Sequence, residues 1–307
     1  MMNSNCSPIA LFVYNRPDHT RRTVEALQKN AVSKDSDLII FSDAPKSEAQ
    51  VEAVRQVRQY IHQVEGFKSV SILERDKNWG LANSIIDGVT RLCSEFGRVI
   101  VLEDDLVVSP CFLDYMNHAL ERYAHEEKVM QISANMFPIP SSDALPDTFF
   151  CKMTTSWGWA TWDRAWRKFE PDADKLANMI IAKKLRKEFD MGYNYFQMLK
   201  MQAKREVDSW AIRWYASVFL AEGLCLHPSA SLVANIGHDG SGTHCVSNSN
   251  FEVSLSSVMP TIFPLSIEES HQGRQVLETF YRSMRGSTWR RLMARAKTAL
   301  RYKANLR

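Results

Sequence analysis

The stretch Val99-Ile-Val-Leu-Glu-Asp-Asp-Leu-Val-Val108 decides how this chain is read. Its apolar start, Val99 to Leu102, has the β-branched character of a buried strand. Glu103, Asp104 and Asp105 follow where that strand ends. Three adjacent carboxylates repel one another, and at a strand terminus they are not all equally solvated. A hard divalent cation relieves that repulsion, and Mg²⁺ or Mn²⁺ takes such oxygen ligands, often together with substrate phosphates. Taken alone, three acids fit a solvated turn equally well.

The sequence on either side shifts the balance. Strands are expected at Ile9 to Tyr14, Leu38 to Ser42, Val70 to Leu73, Val99 to Leu102 and Val129 to Ser133, with helical patterns between them. Pro17, Pro45 and Pro110 stand where helices begin. Alternation at this spacing predicts an α/β fold with a mainly parallel sheet and helices on both faces. In open sheets of this kind ligands bind outside the carboxyl ends of the strands. Those ends carry Arg16, Asp43, Arg75 and the acidic triplet, a mixture of charges suited to a nucleoside diphosphate beside a metal. Each also has a plainer reading: Arg16 and Arg75 as surface charges, Asp43 as a turn cap before Pro45.

The second half is patterned differently. Phe137 to Pro146 reads as a loop, and Trp157, Trp159, Trp162 and Trp166 fall close together after it. Helices are expected around Asp172–Lys184, Tyr193–Lys204 and Ser209–Glu222, with short strands at Leu224–His227 and Ser231–Ala234. Gly158 suits a close backbone approach to a ligand, and Trp faces stack on sugars. Trp162 and Trp166, four apart, read as one buried helical face. Gly237-His-Asp-Gly-Ser-Gly-Thr-His244 lacks the Lys and the context of a phosphate loop and reads as a lid.

The strand and its triplet, Val101-Leu-Glu-Asp-Asp-Leu106, resemble the Glu-Asp-Asp motif of the N-acetylglucosaminyltransferase I family and, more widely, GT-A-fold glycosyltransferases such as the bacterial family-2-like sugar transferases. The resemblance runs weakly from about Pro8 to Gly240. It implies a GT-A fold that binds a UDP-sugar with Mn²⁺ or Mg²⁺. Asp105 would be the metal ligand, and Glu103 and Asp104 would contact sugar and ribose. Asp43 would read the uracil and Arg16 would meet the diphosphate, with Arg75 on the same rim. Asn78-Trp-Gly-Leu-Ala-Asn83 resembles the Asn-x-Gly segment before the donor-site helix, although an N-cap at Asn78 explains it too. Ser156-Trp-Gly-Trp-Ala-Thr-Trp162 loosely resembles a segment that contacts donor and acceptor, which nominates Trp159; its first glycine is replaced here. Asp208, in Glu206-Val-Asp-Ser-Trp-Ala-Ile-Arg213, resembles the family's general base, with Glu206 in reserve; the simpler role is a helix cap. His238 would touch the diphosphate or complete the metal shell.

These residues imply an inverting, metal-dependent transfer of a sugar, N-acetylglucosamine being the one suggested, to a hydroxyl of a glycan or glycolipid during surface polysaccharide synthesis. The competing readings are a sugar nucleotidyltransferase and a glycan-binding protein on a degenerate transferase fold. The first expects a Gly-rich basic loop after the opening strand, which Tyr14-Asn-Arg-Pro17 does not supply.

Composition narrows the setting. Over 307 residues the net charge is +3, yet residues 279–307 hold nine Lys or Arg and no acid, which leaves the preceding 278 residues at −6. From Ser287 the tail reads as a basic amphipathic helix, suited to an anionic membrane surface; no nucleic-acid motif accompanies it. The expected organisation is a transferase domain over 1–250, divided near 135, and an extension over 251–307. No apolar run is long enough to span a bilayer. The six cysteines show no metal or disulfide spacing, and the polar start is unlike a secretory leader. A cytoplasmic enzyme, peripheral on the inner membrane face, is the expected setting.

Overall fold

A computed structural model describes residues 6–139, 145–238 and 251–284. The chain opens with β1 (Ile9–Val13), α1 (Pro17–Gln28), β2 (Asp37–Ser42), α2 (Val51–Ile61), β3 (Ser69–Glu74), α3 (Leu81–Phe96) and β4 (Arg98–Glu103). It continues through β5 (Leu106–Val108), α4 (Phe112–Arg122), β6 (Val129–Ser133), β7 (Thr148–Cys151), β8 (Trp159–Trp162) and α5 (Asp163–Trp166). Helices α6 (Ala173–Ala182), α7 (Arg186–Asp190), α8 (Tyr195–Ala203) and α9 (Trp210–Leu220) precede β9 (Leu224–Pro228) and β10 (Val233–Asn235). A last helix, α10, covers residues 271–284.

Eight strands form one sheet in the order β3-β2-β1-β4-β8-β6-β9-β7, and β5 pairs with β10 in a separate ribbon. Strands β1 to β4 run parallel, and their registers align Val13 with Ser42, Ser42 with Glu74, and Phe12 with Glu103. That alignment brings four carboxyl ends to one rim, as the alternation of strands and helices predicts. The sheet is mixed because β8 inserts antiparallel between β4 and β6, and β7 runs antiparallel to β9.

Burial follows the period-2 geometry of a strand covered on both faces. Ile9, Leu11 and Val13 pack with Val24 and Leu27 of α1 and the apolar face of α4. Ala10 and Phe12 point the other way, onto Ile85, Val89 and Leu92 of α3. A further core joins α6, α8 and α9 and includes Leu277 and Tyr281 of α10. Phe263 enters the first core. Residues 251–284 are therefore packed against the body, while the basic helix expected from Ser287 onward lies outside the described residues.

The tryptophan segment departs from its expected form. Trp159 to Trp162 is a wholly buried strand, so Trp162 ends β8 while Trp166 lies in α5, and the pair is not one helical face. β7 and β8 were not expected at all. Their residues are buried on both sides and lack the apolar–polar alternation that marks a half-exposed strand.

Candidate active site

The acidic triplet sits where β4 leaves the sheet, and its three members have different surroundings. Arg16 stands before α1, and its guanidinium bridges Asp104 and Asp105, lying 2.9 Å from the latter. Asp104 is also held by the Tyr14 backbone N–H at 3.3 Å, and its own carbonyl accepts from Thr23 Oγ1 at 2.8 Å. Burial pushes the Asp104 carboxyl up, with Arg16 pulling against it. Burial raises Glu103 to about 8, with Asp105 and Asp104 adding repulsion. Burial works against the charge of Arg16 too, but the two aspartates outweigh it and hold the guanidinium above its usual range. The raised Glu103 and Asp104 carboxyls mark burial and repulsion that one arginine leaves uncompensated. The rim retains an attraction for a further cation.

The β5–β10 ribbon brings a distant segment onto this corner. Asn235 pairs with Leu106, and the Ile236 N–H donates to the Asp105 carbonyl at 2.8 Å. A Cβ at Gly237 would meet the Asp105 carboxylate and the Arg16 guanidinium, so a larger residue would have to displace the pair. His238 follows. Asp105 Oδ1 and His238 Nε2 are both buried without a hydrogen-bond partner among the described residues. Burial lowers the His238 pKa while the nearby Asp105 charge opposes it. A buried lone pair without a donor is costly, and a divalent ion accepts both an oxygen and an imidazole ligand. The residues present therefore fit a metal held by Asp105 and His238 with substrate oxygens completing the shell. No cluster of three or more His, Cys, Asp or Glu suited to a metal occurs among the described residues.

The neighbouring strand ends are engaged differently. The Asp43 carboxylate accepts from Ala44 N–H at 2.9 Å, Trp79 N–H at 2.9 Å, Gly80 N–H at 2.8 Å and Asn78 Nδ2 at 3.1 Å. It ties the end of β2 to the loop entering α3. Asn78 also donates to the Ala44 carbonyl at 2.8 Å and does not cap the helix, whose N-cap is Gly80. Arg75 pairs with Asp87 and stacks over Trp79, its guanidinium carbon 3.9 Å from the ring centre. Asp43 and Asn78 thus share one hydrogen-bonded knot, with Arg75 beside it through Trp79. Arg16, Asp104, Asp105 and His238 form the other cluster.

Two residues nominated from sequence lie elsewhere. Trp159 is fully buried and stacks on Trp210 with ring centres 5.0 Å apart, so it belongs to the core and has no face for a donor. Gly158 has φ +60°, a conformation that favours glycine, and a Cβ there would crowd Phe112. Asp208 is exposed, 3.4 Å from Arg213, and the residue that caps α9 is Ser209, whose Oγ accepts from the Ile212 N–H at 3.3 Å.

Sequence reasoning passed over a cavity of about 270 Å³ beside the ribbon, lined by Asn135, Trp157, Tyr193, Tyr195, Trp210 and Phe251 among others. Trp157 meets the His238 ring edge-on at 5.3 Å, and Phe251 stacks on it at 5.3 Å. Two of the cavity's lining rings thus pack against the imidazole that the Asp105 charge reaches. Its lining comes from segments more than a hundred residues apart, and the only local signal was the aromatic content of residues 156–162.

These features locate the chain among known proteins. Residues 9–130 match the model of glycosyl transferase family 2. The match runs from β1 to the first residues of β6 and includes the acidic triplet, and it supports a role in glycosyl transfer. The fold is of the GT-A type. Among solved structures, a mannosyltransferase from Pyrobaculum calidifontis, in complex with GDP-Man and Mn²⁺, is similar at 13% identity and TM-score 0.39, over 71% of this chain and 76% of that one. TarS of S. aureus is similar at 10% identity and TM-score 0.34, over 53% of this chain and 30% of that one. No curated protein matches the chain. Among the described residues no helix is long and apolar enough to cross a membrane.

Proposed function

We propose that the chain is a metal-dependent, inverting glycosyltransferase that moves a sugar from a UDP-sugar, with N-acetylglucosamine the favoured sugar, to a hydroxyl of a glycan or glycolipid in surface polysaccharide synthesis. The observation that carries this reading is the pair of unpartnered buried atoms, Asp105 Oδ1 and His238 Nε2, at the mouth of a parallel sheet. When bound, Mn²⁺ or Mg²⁺ would offset the negative charge that builds on the departing diphosphate. Arg16 would turn from the aspartates to that diphosphate and supply a second positive group. Glu103 and Asp104 would meet hydroxyls of sugar and ribose, while Asp43, Asn78 and Arg75 frame the base. Asp208 would take the proton of the attacking hydroxyl. Its carboxylate is exposed, 3.4 Å from Arg213.

Thermal denaturation over a panel of nucleotide-sugars, with and without Mn²⁺, tests the proposal. A UDP-sugar with Mn²⁺ should raise the Tm of the wild type, because a ligand that binds only the folded state stabilises it. Asp105→Ala should abolish the metal-dependent part. An equal rise in wild type and Asp105→Ala would sink the assignment of the metal site.

The basic tail extends the proposal to an anionic membrane surface. Leu277 and Tyr281 are buried in α10, so a cut after Glu278 would open the core. A chain ending at Met284 should keep its stability and lose binding to anionic vesicles. Retained binding would leave the tail without this role.

A further inference from the structure

We propose that the aromatic cavity binds an uncharged sugar ring of the acceptor, read by the side-chain amide of Asn135. This rests on the transferase reading and adds to it the chemical class of the acceptor. Asn135 lies just beyond β6, held by a 3.0 Å bond from its N–H to Ser133 Oγ. It is 2% exposed and lines the cavity, and its Nδ2 has no partner among the described residues. An amide nitrogen is a donor only, so it calls for an oxygen on the occupant, either a hydroxyl or an acetamido carbonyl.

The walls choose between occupants. Trp157, Tyr193, Tyr195, Trp210 and Phe251 offer ring faces, which suit the C–H face of a pyranose. No Asp, Glu, Lys, Arg or His lines the cavity among the described residues, so a charged sugar would lose its hydration there without compensation. A hydrocarbon chain would fill the space but leave the Asn135 donor buried and unpaired, which is unfavourable. The volume of about 270 Å³ falls below the roughly 300 Å³ at which pockets for drug-sized ligands begin, so it suits one ring rather than an oligosaccharide.

Position supplies the last argument. Trp157 and Phe251 line the cavity and also hold the His238 imidazole, which the Asp105 charge reaches. A ring seated among them lies next to the corner where the donor's diphosphate is expected.

The test is saturation-transfer NMR on the full chain, titrating methyl glucoside, methyl N-acetylglucosaminide, methyl glucuronide and n-octanol. Donor binding is followed separately by thermal shift with UDP-sugar and Mn²⁺. One or both neutral glycosides should bind, and the glucuronide and octanol should not. Asn135→Ala should weaken the glycoside roughly tenfold, the loss of about one buried hydrogen bond. Trp157→Ala should weaken it at least as much, and the donor shift in each variant shows that it is folded. Equal glycoside affinity in wild type and Asn135→Ala overturns the inference, as does binding of octanol in preference to both glycosides. A donor shift with no glycoside binding overturns the inference and leaves the transferase reading standing. Glycoside binding with no donor shift does the reverse.

Discussion

The rim of the parallel strands and the aromatic cavity are adjacent, yet they are built by opposite means. The rim is made of charge. Most of its groups stand close after a strand, and the β5–β10 ribbon carries the Ile236–His238 segment in from far along the chain. The cavity is made of ring surface gathered from the segment after β6, the segment before β8, α8, α9, α10 and residue 251. Charge acts over distance and is confined here to the side that would hold a diphosphate. Ring faces act only in contact, and in the proposed function they would seat and orient the acceptor. The partition suggests that donor and acceptor are recognised by separable sets of residues.

Asp208→Asn is the strongest way to break that division, since it would show that a charge beyond the rim is needed. A general base contributes roughly 10²–10⁴-fold, so kcat should fall by that factor while donor KM stays within a few-fold. Turnover near the wild-type rate would return the whole of the charge chemistry to the rim. Next in size is Trp159→Ala. Emptying a fully buried indole in β8 should cost about 3–5 kcal/mol in chemical denaturation. Trp157→Ala, at a half-buried position on the cavity, should cost far less. Similar losses for the two would blur the distinction between core and cavity.

A smaller effect comes from His227, buried in β9 with Nε2 2.8 Å from the Met153 carbonyl and its pKa lowered by burial to about 4. The unfolded imidazole takes its proton near 6.5, and the folded one resists until about 4. Unfolding therefore gains protons as the pH falls through this window. The stability present above 6.5 should decline by about 2 kcal/mol between pH 7 and pH 5, and His227→Gln should flatten that slope. An unchanged slope in the variant would exclude His227 as its source. Smallest is Ser209→Ala, which removes the cap of α9 and should cost about 1 kcal/mol without changing the rate constants. If Asp208→Asn proved the more destabilising and Ser209→Ala the slower enzyme, the roles of cap and base would have to be exchanged.

Legibility from sequence follows the same division. β1, β2, β4 and β6 were read because continuous apolar runs between helical patterns have few other meanings, and the carboxyl-end rule then located the acidic corner. His238 was nominated as a late histidine, but its meeting with Asp105 needed the antiparallel ribbon. Trp157 and Trp159 lie in one aromatic string, and the string alone does not say which indole the sheet swallows. Strand pairing decides that: Trp159 stands opposite Val101 and Ser133, between two neighbours, whereas Trp157 precedes the strand. Asn135 carried no local signal, since a lone Asn after a strand is ordinarily a turn residue.

Sequence by itself determined the alternation of elements, the parallel half of the sheet and the acids at its edge. Those depend on period and on chain order, which are local. The tertiary structure decided which partners those acids keep, which tryptophan is core, and that aromatic residues from six separate segments enclose one cavity. Such outcomes depend on contacts between residues far apart in the chain, and pairing geometry sets them rather than propensity.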